Sequence, residues 1–271
     1  MATHPGNRRL SPADLVGFAS LFAAILLSFV DVRLSAILLT LFLILCTVAP
    51  FLPRFGFFLP IISRGNTGKR AVALTFDDGP DPVSTPALLG MLSRHKIKAT
   101  FFVTGKNASD HPELVREILM GGHSLGNHSY SHDNLIMFKG SKALKHEIES
   151  AQVVLSRFGV IPLAFRPPVG ITNPRLKGVL SEAGMYSVCF SCRPVDWGNR
   201  WINDLSGRVL RRIRPDDIVL LHDIGPTDEA RFSYWLNEIE SILAGLKERG
   251  LSVLPLSELI GRPVMLTGKK G

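Results

Sequence analysis

The sequence predicts an α/β fold in which a parallel sheet curls into a (β/α) barrel, preceded by an N-terminal transmembrane helical hairpin. Three observations carry this expectation. From residue 71 onward, short β-rich apolar runs alternate with amphipathic stretches, which implies parallel strands joined by helices. Seven such repeats occupy about 195 residues, slightly short of the usual eight-strand barrel, and a doubly wound open sheet is the alternative architecture. Ahead of them, residues 15–30 and 34–52 form two apolar stretches separated only by Asp31, Val32 and Arg33.

Each apolar stretch reaches the roughly 20 residues that a bilayer-spanning helix needs, once the first is extended back to Pro12. Spans are therefore expected at about residues 12–30 and 34–52. A cleaved signal peptide, with Arg8 and Arg9 as its basic start, is the competing reading. No A-x-A-like site follows the first run and a second begins almost at once, so retained anchoring is expected. Residues 50–65 mix prolines with Phe51, Phe55, Phe57 and Phe58, which spoils a long helix and predicts an interfacial collar over 53–64. A membrane-anchor unit, 1–66, then gives way to a second unit, 67–265, which carries the strand and helix alternation. Within it, strands are expected at 72–76, 99–103, 123–127, 163–166, 186–190, 218–221 and 251–254. Helices are expected near 85–95, 112–120, 141–158, 174–183, 201–213 and 231–249.

The chain has 271 residues, 46% of them hydrophobic, enough for a sizeable core. Its net charge is +8, and residues 1–70 carry seven Lys/Arg against two Asp/Glu, so +5 of that excess lies in the first quarter. A basic flank beside apolar segments points to a membrane surface. No Lys/Arg run with interleaved aromatics appears elsewhere, so nucleic acid is not an expected partner. Three cysteines, Cys46, Cys189 and Cys192, are too few for a disulfide framework and favour reduced thiols.

The polar residues suited to chemistry follow the strands. Asp77 and Asp78 come after the first, His128 and His132 after the third, Arg166 after the fourth, Asp196 and Trp197 after the fifth, and His222 after the sixth. In a parallel barrel the carboxyl ends of all strands share one face, so these residues are expected to converge. His128 and His132 would point to one side if their segment turns helically. With a carboxylate from Asp77 or Asp78 they make the two-histidine, one-carboxylate set of hydrolytic zinc sites, leaving the other aspartate as a general base. Asp-Asp-Gly-Pro is also a turn sequence, and both readings are compatible. Cys189 and Cys192 raise a competing structural zinc site or redox pair, which would require the strand to end at Phe190.

Together, Thr75-Phe76-Asp77-Asp78-Gly79-Pro80, His128-Ser129-Tyr130-Ser131-His132, Phe165-Arg166-Pro167-Pro168, Asp196-Trp197 and Leu220-Leu221-His222 closely resemble the motifs of the polysaccharide deacetylases of the NodB-homology group, carbohydrate esterase family four. The resemblance covers roughly residues 68–260. It implies a distorted (β/α)7 barrel and one divalent metal, usually Zn2+. Carried over by position, it implies Asp77 as catalytic base and Asp78, His128 and His132 as metal ligands. Arg166 would orient Asp77, and Asp196 would tune His222, the general acid. Pro168, Val169, Trp197 and Leu220 would contact substrate, with Trp197 and Leu220 walling the acyl pocket and the amide near Val169 helping to stabilise an oxyanion. Two positions depart from the pattern. Val169 stands where an aromatic is common and Arg193 where an acid is often found, which leaves open the groove wall and the substrate contacts.

The implied activity is metal-dependent removal of an N-acetyl or other N-acyl group from an amino sugar, polymeric or lipid-linked. An N-deformylase of a polyprenyl-linked amino sugar and a non-catalytic carbohydrate-binding protein on the same fold are the alternatives. A two-span anchor puts both chain ends on one side. Arg8 and Arg9 precede the first span and Arg54, Arg64, Lys69 and Arg70 follow the second, so the catalytic unit is expected on the cytoplasmic face of the cell membrane. Arg208, Arg211, Arg212 and Arg214 could attract anionic headgroups if they share the collar's face; a solvated helix is the plainer reading.

Overall fold

The computed structural model describes residues 10–52 and 54–268; Arg8 and Arg9 lie outside the described residues. The chain begins with helices α1 (Pro12–Ser28) and α2 (Val32–Val48), passes a 3-10 turn at Ala49–Phe51, and enters the sheet at β1 (Ile61–Ile62). There follow β2 (Ala71–Asp77), α3 (Ser84–Arg94), β3 (Thr100–Val103), α4 (Gly105–Asp110), α5 (Pro112–Met120), β4 (Ser124–Asn127) and α6 (Ser141–Ser156). The second half holds β5 (Val160–Pro162), β6 (Ala164–Phe165), α7 (Leu176–Glu182), β7 (Tyr186–Val188) and α8 (Leu205–Leu210). It closes with β8 (Ile218–His222), α9 (Glu229–Glu248), β9 (Ser252–Val253), α10 (Leu256–Ile260) and β10 (Met265–Thr267).

Helix α1 starts at a capping box: Ser11 Oγ accepts from the Asp14 amide at 3.2 Å while Asp14 Oδ2 accepts from the Ser11 amide at 2.7 Å, with Pro12 at the first helical position. Asp31 caps α2 through the Arg33 amide. The two helices lie side by side, Ser35 Oγ donating to the Ala24 carbonyl at 2.7 Å and Gly17 lying beneath the Phe42 ring. Among the described residues one helical stretch, Val32–Phe51, is long and apolar enough to cross a membrane; α1 is shorter at 17 residues. Both helices expose large apolar side chains, including Phe18, Phe22, Leu41 and Leu43.

The sheet is parallel and curled, in the order β1-β7-β6-β4-β3-β2-β8, with β9 beside the start of β2. Between the edge strands β1 and β8 there are two isolated bridges, Arg64 to Asp217 and Cys192 to Val219, so the sheet is a half-barrel rather than a ring of continuous ladders. All seven expected strands are present, five of them trimmed and those expected at 72–76 and 218–221 extended to β2 and β8, but their places differ from a simple seven-repeat wheel. The edge beyond β7 is filled by β1, from a segment expected at the membrane interface, and the expected last strand shrinks to β9. Of the four phenylalanines expected in a collar, Phe57 and Phe58 are buried against Phe165, Leu176 and Met137, whereas Phe51 and Phe55 are exposed.

Alternation along the strands decides which residues face inward. In β2, Val72, Leu74 and Phe76 join the layer under the outer helices, while Ala71 and Ala73 join the interior with Phe102, Ala164, Ile218 and Leu220. Period-two geometry therefore carries Thr75 and Asp77 to the inside of β2, and His222 to the inside of β8 above Leu220. Fully buried β2, covered on both faces, reads as the near-continuous apolar run expected of a central parallel strand.

Candidate active site

Four strand ends build the site. Asp77 is the last residue of β2, and Asp78 turns away from the strand at φ 76°. Asn107 from α4 fixes that turn by donating to the Asp78 carbonyl at 2.8 Å. His128 follows β4 directly. The segment from His128 to His132 does not turn helically, so the two rings come together by another route than the one their spacing offered. Ser129 and His132 adopt φ values of 67° and 54°, which fold the loop back so that both rings meet, their centroids 4.9 Å apart. Glu147 on α6 holds this loop by accepting from the amides of Tyr130 and Ser131 and from the Ser131 hydroxyl.

Potential ligand atoms of Asp78, His128 and His132 all lie within 4.8 Å of one another. Asp78 Oδ1 is 3.3 Å from His128 Nε2 and 3.0 Å from His132 Nε2, yet it is buried with no hydrogen-bond donor satisfying it. His128 Nδ1 is 2.7 Å from the Arg166 carbonyl, an arrangement that puts the proton on Nδ1 and turns the lone pair of Nε2 toward the carboxylate. Two electron-rich atoms face each other in a dry site, and a cation between them resolves the conflict. An outer hydrogen bond that fixes the tautomer is what metal-binding histidines use. The donor set fits a divalent metal.

Asp77 sits beside this set, its Oδ2 3.8 Å from His128 Nε2. Its Oδ1 accepts from Arg166 Nη1 at 2.6 Å. Arg166 is fully buried at 0% exposure, and its other donors reach Thr75 Oγ1 at 2.8 Å and the carbonyls of Cys189 and Val188 at 3.0 and 3.3 Å. The Phe102 ring lies 4.0 Å from the guanidinium. A buried charge so fully satisfied is positioned in one rotamer. Across the site, His222 Nδ1 meets Asp196 Oδ2 at 2.9 Å. Burial pulls the His222 pKa down, but the Asp196 carboxylate overcomes it and lifts the imidazole to about 9.

The remaining expected residues lie around this centre. Pro168 is buried, Val169 is exposed with φ 53°, Trp197 is 71% exposed, and Leu220 is buried one turn of alternation below His222. Ten non-glycine residues have positive φ among the described residues, and seven of them, Asp78, Ser129, His132, Val169, Val195, Trp197 and Asn199, lie in the loops at these strand ends. Each costs on the order of 1–3 kcal/mol, and such strain gathers where geometry is imposed by a site. Cys189 and Cys192 are buried, burial pushes each thiol up to about 12, and neither belongs to the group of potential metal ligands found among the described residues.

Several supporting residues escaped the sequence reading. Asp223 accepts from Ser84 Oγ at 2.8 Å and Thr85 Oγ1 at 2.6 Å and lies against Gly79, where an added Cβ would come within 2.2 Å of its carboxylate. Burial raises its pKa to about 8. Asn199 donates to the carbonyls of His222 and Ile224. Asp223 follows His222 directly and was within reach of the motif; Asn107, Glu147 and Asn199 act across the fold and carry no local signal.

A family model for polysaccharide deacetylase matches residues 64–188. A chitooligosaccharide deacetylase of a Bradyrhizobium strain is 32% identical over 201 residues, covering 71% of this chain and 92% of that protein. A solved peptidoglycan N-acetylglucosamine deacetylase superposes with a TM-score of 0.68 at 32% identity, covering 75% of this chain and 94% of that one. A family four pseudoenzyme from Bacillus anthracis superposes with a TM-score of 0.65 at 25% identity, covering 74% of this chain and 68% of that one. The motifs, the curled parallel sheet and these likenesses agree, and the chain belongs to the polysaccharide deacetylase family.

Proposed function

We propose that this protein is a metal-dependent hydrolase that removes an N-acetyl group, or another small N-acyl group, from an amino sugar. The observation that supports it most is the unsatisfied buried oxygen of Asp78 facing His128 and His132, with Asp77 beside it and the Asp196–His222 pair opposite. Asp78, His128 and His132 would hold the metal, for which two imidazoles and a carboxylate suit Zn2+. When bound, the metal supplies Lewis-acid polarisation and lowers the pKa of water to about 7. Asp77, fixed by Arg166, accepts the proton from the attacking water. His222, held charged by Asp196, donates to the departing nitrogen, and the acid and base stay on opposite sides of the bond being cut. The backbone around Val169, held at positive φ, supplies an amide toward the developing oxyanion, while Pro168, Trp197 and Leu220 line the approach to the acyl group.

The pseudoenzyme relative keeps the non-catalytic reading in view. The presence here of every acid, base and ligand implied by the motifs favours catalysis. We read residues 1–66 as the anchor, with α1 and α2 as a transmembrane hairpin, and 67–265 as the catalytic unit, its sheet working as the distorted (β/α)7 barrel of the family. A cytoplasmic catalytic face would exclude finished wall polymer and leave an N-acylated sugar on a lipid carrier within reach. Incubating full-length protein in detergent with N-acetylated and N-formylated amino sugars, then weighing the released acid by mass spectrometry, tests the reading. Acetate supports deacetylation, formate moves the assignment to a deformylase, and no release from any substrate by metal-loaded protein overturns catalysis.

A further inference from the structure

Outside the active site, the chain gathers arginines from three separate segments. Arg54 and Arg64 come from the stretch between α2 and β2, Arg193 from the chain after β7, and Arg211, Arg212 and Arg214 from the turn between α8 and β8; all six line one cavity of about 570 Å³. The cavity lies where the continuation of β7 meets β8, with the Ser191 and Cys192 amides donating to the Ile218 carbonyl behind it. Phe190 and Ile213 give it an apolar floor, and none of Asp77, Asp78, His128, His132 or His222 lines it.

One lining carboxylate, Asp217, is buried and already engaged, accepting from Arg64 Nη2 at 2.6 Å and from the Arg214 amide at 2.7 Å. Arg211 is held by Asp204 at 2.7 Å, and Arg193 lies over the Phe190 ring. For Arg54, Arg212 and Arg214 there is no carboxylate at ion-pair distance among the described residues. With Arg64 and Arg211 already paired, the remaining guanidiniums around the cavity repel one another until an anion enters. Planar forks match phosphate oxygens two at a time, and several forks over an apolar floor suit a phosphate joined to an organic body. Arg54 follows closely on Val32–Phe51, the stretch apolar enough to cross a membrane, which puts this rim at headgroup depth.

We infer that this cavity binds the phosphate of an anionic lipid at the bilayer surface. The inference rests on the membrane-anchored reading of α1 and α2 and is independent of the deacetylase chemistry. It would hold the unit that follows α2 against the membrane.

The test is native mass spectrometry of the full chain in a non-ionic detergent, titrated with phosphatidylglycerol, phosphatidylcholine and inorganic pyrophosphate. One phosphatidylglycerol should be retained at roughly tenfold lower concentration than phosphatidylcholine. Pyrophosphate should displace it. The triple variant Arg54→Gln, Arg212→Gln, Arg214→Gln should lose the preference. The triple Lys142→Gln, Arg157→Gln, Lys247→Gln, with the same charge change elsewhere on the surface, should keep it. Equal retention of the two lipids by wild type, or loss of preference in both triples, overturns the site. Pyrophosphate bound without any lipid preference assigns the cavity to a soluble diphosphate and overturns the lipid. Release of acetate from a soluble N-acetylglucosamine oligomer, followed in parallel, should be unchanged in the arginine triple. Metal-loaded protein that keeps the lipid preference but releases acid from none of the N-acetylated and N-formylated sugars, lipid-linked ones included, refutes the deacetylase alone, and protein that hydrolyses but shows no preference refutes this site alone.

Discussion

At the scale of single residues, the two adjacent aspartates should separate cleanly. Asp77→Asn removes the proposed base, held by Arg166, and leaves the Asp78, His128, His132 set intact, so it should retain metal and lose about 10²–10⁴-fold in kcat. Asp78→Asn and His128→Ala should lose metal as well, measured by elemental analysis of purified protein; exchanged phenotypes would reverse the roles. A pH effect belongs to a residue far from catalysis. His123 is buried, accepts from the Ala99 amide at 3.0 Å, and is pulled down to about 4 by burial and by Lys98. A histidine kept neutral in the folded state contributes stability that is complete above pH 6.5 and is lost as pH falls from there toward 4. That linkage is worth up to about 3 kcal/mol, so His123→Gln should flatten the pH dependence of the metal-free protein's urea midpoint across this window. An unchanged slope would show that other groups set it. The convergence of Asp77, Asp78, His128, His132, Arg166, Asp196 and His222 was legible because motif order is written in the chain, whereas Glu147 and Asn199, which hold the loops, are recognisable only once α6 and the loop before α8 are folded beside them.

At the scale of elements, Gly126 shows how a strand makes room for the site. A Cβ there would come within 2.4 Å of the Phe102 ring, the same ring on which the Arg166 guanidinium rests. Gly126→Ala should overpack the interior by about 1–3 kcal/mol and push Phe102 into Arg166, lowering Tm and kcat together. A fall in Tm with kcat preserved would show that Arg166 does not transmit the displacement. Long periodic elements were readable: the helix expected at 112–120 is α5, and α6 and α9 differ from expectation only at their ends. The helix expected over 201–213 shrinks to α8 because Trp197, Asn199 and Asp204 hold left-handed backbone ahead of it. β1 was illegible because two residues carry no alternation, and its pairing with β7 is decided wholly by tertiary contact.

At the scale of the whole molecule, the open question is which compartment the catalytic unit occupies. A reporter fused behind Gly271, itself outside the described residues, should fluoresce in the cytoplasm, and an alkaline phosphatase fused there should be inactive. Active phosphatase would put the sheet outside and make exported glycans the better substrate. The fold adds something that charge counting does not. The chain leaving α2 is stitched to the rim of the catalytic face: the Pro50 carbonyl accepts from the Thr172 amide at 3.0 Å, just beyond the Pro168–Gly170 turn, and Phe51 meets Phe138 beyond the His132 loop. Phe57 and Phe58 then anchor the same segment in the interior. On the proposed anchoring of α2 in a bilayer, the mouth of the enzyme would have a set height and tilt and could not swing outward like a ball on a chain. Search for substrate would then be a two-dimensional problem, in which molecules sliding within the lipid sheet would arrive already oriented and anything beyond the stitched radius would be out of reach.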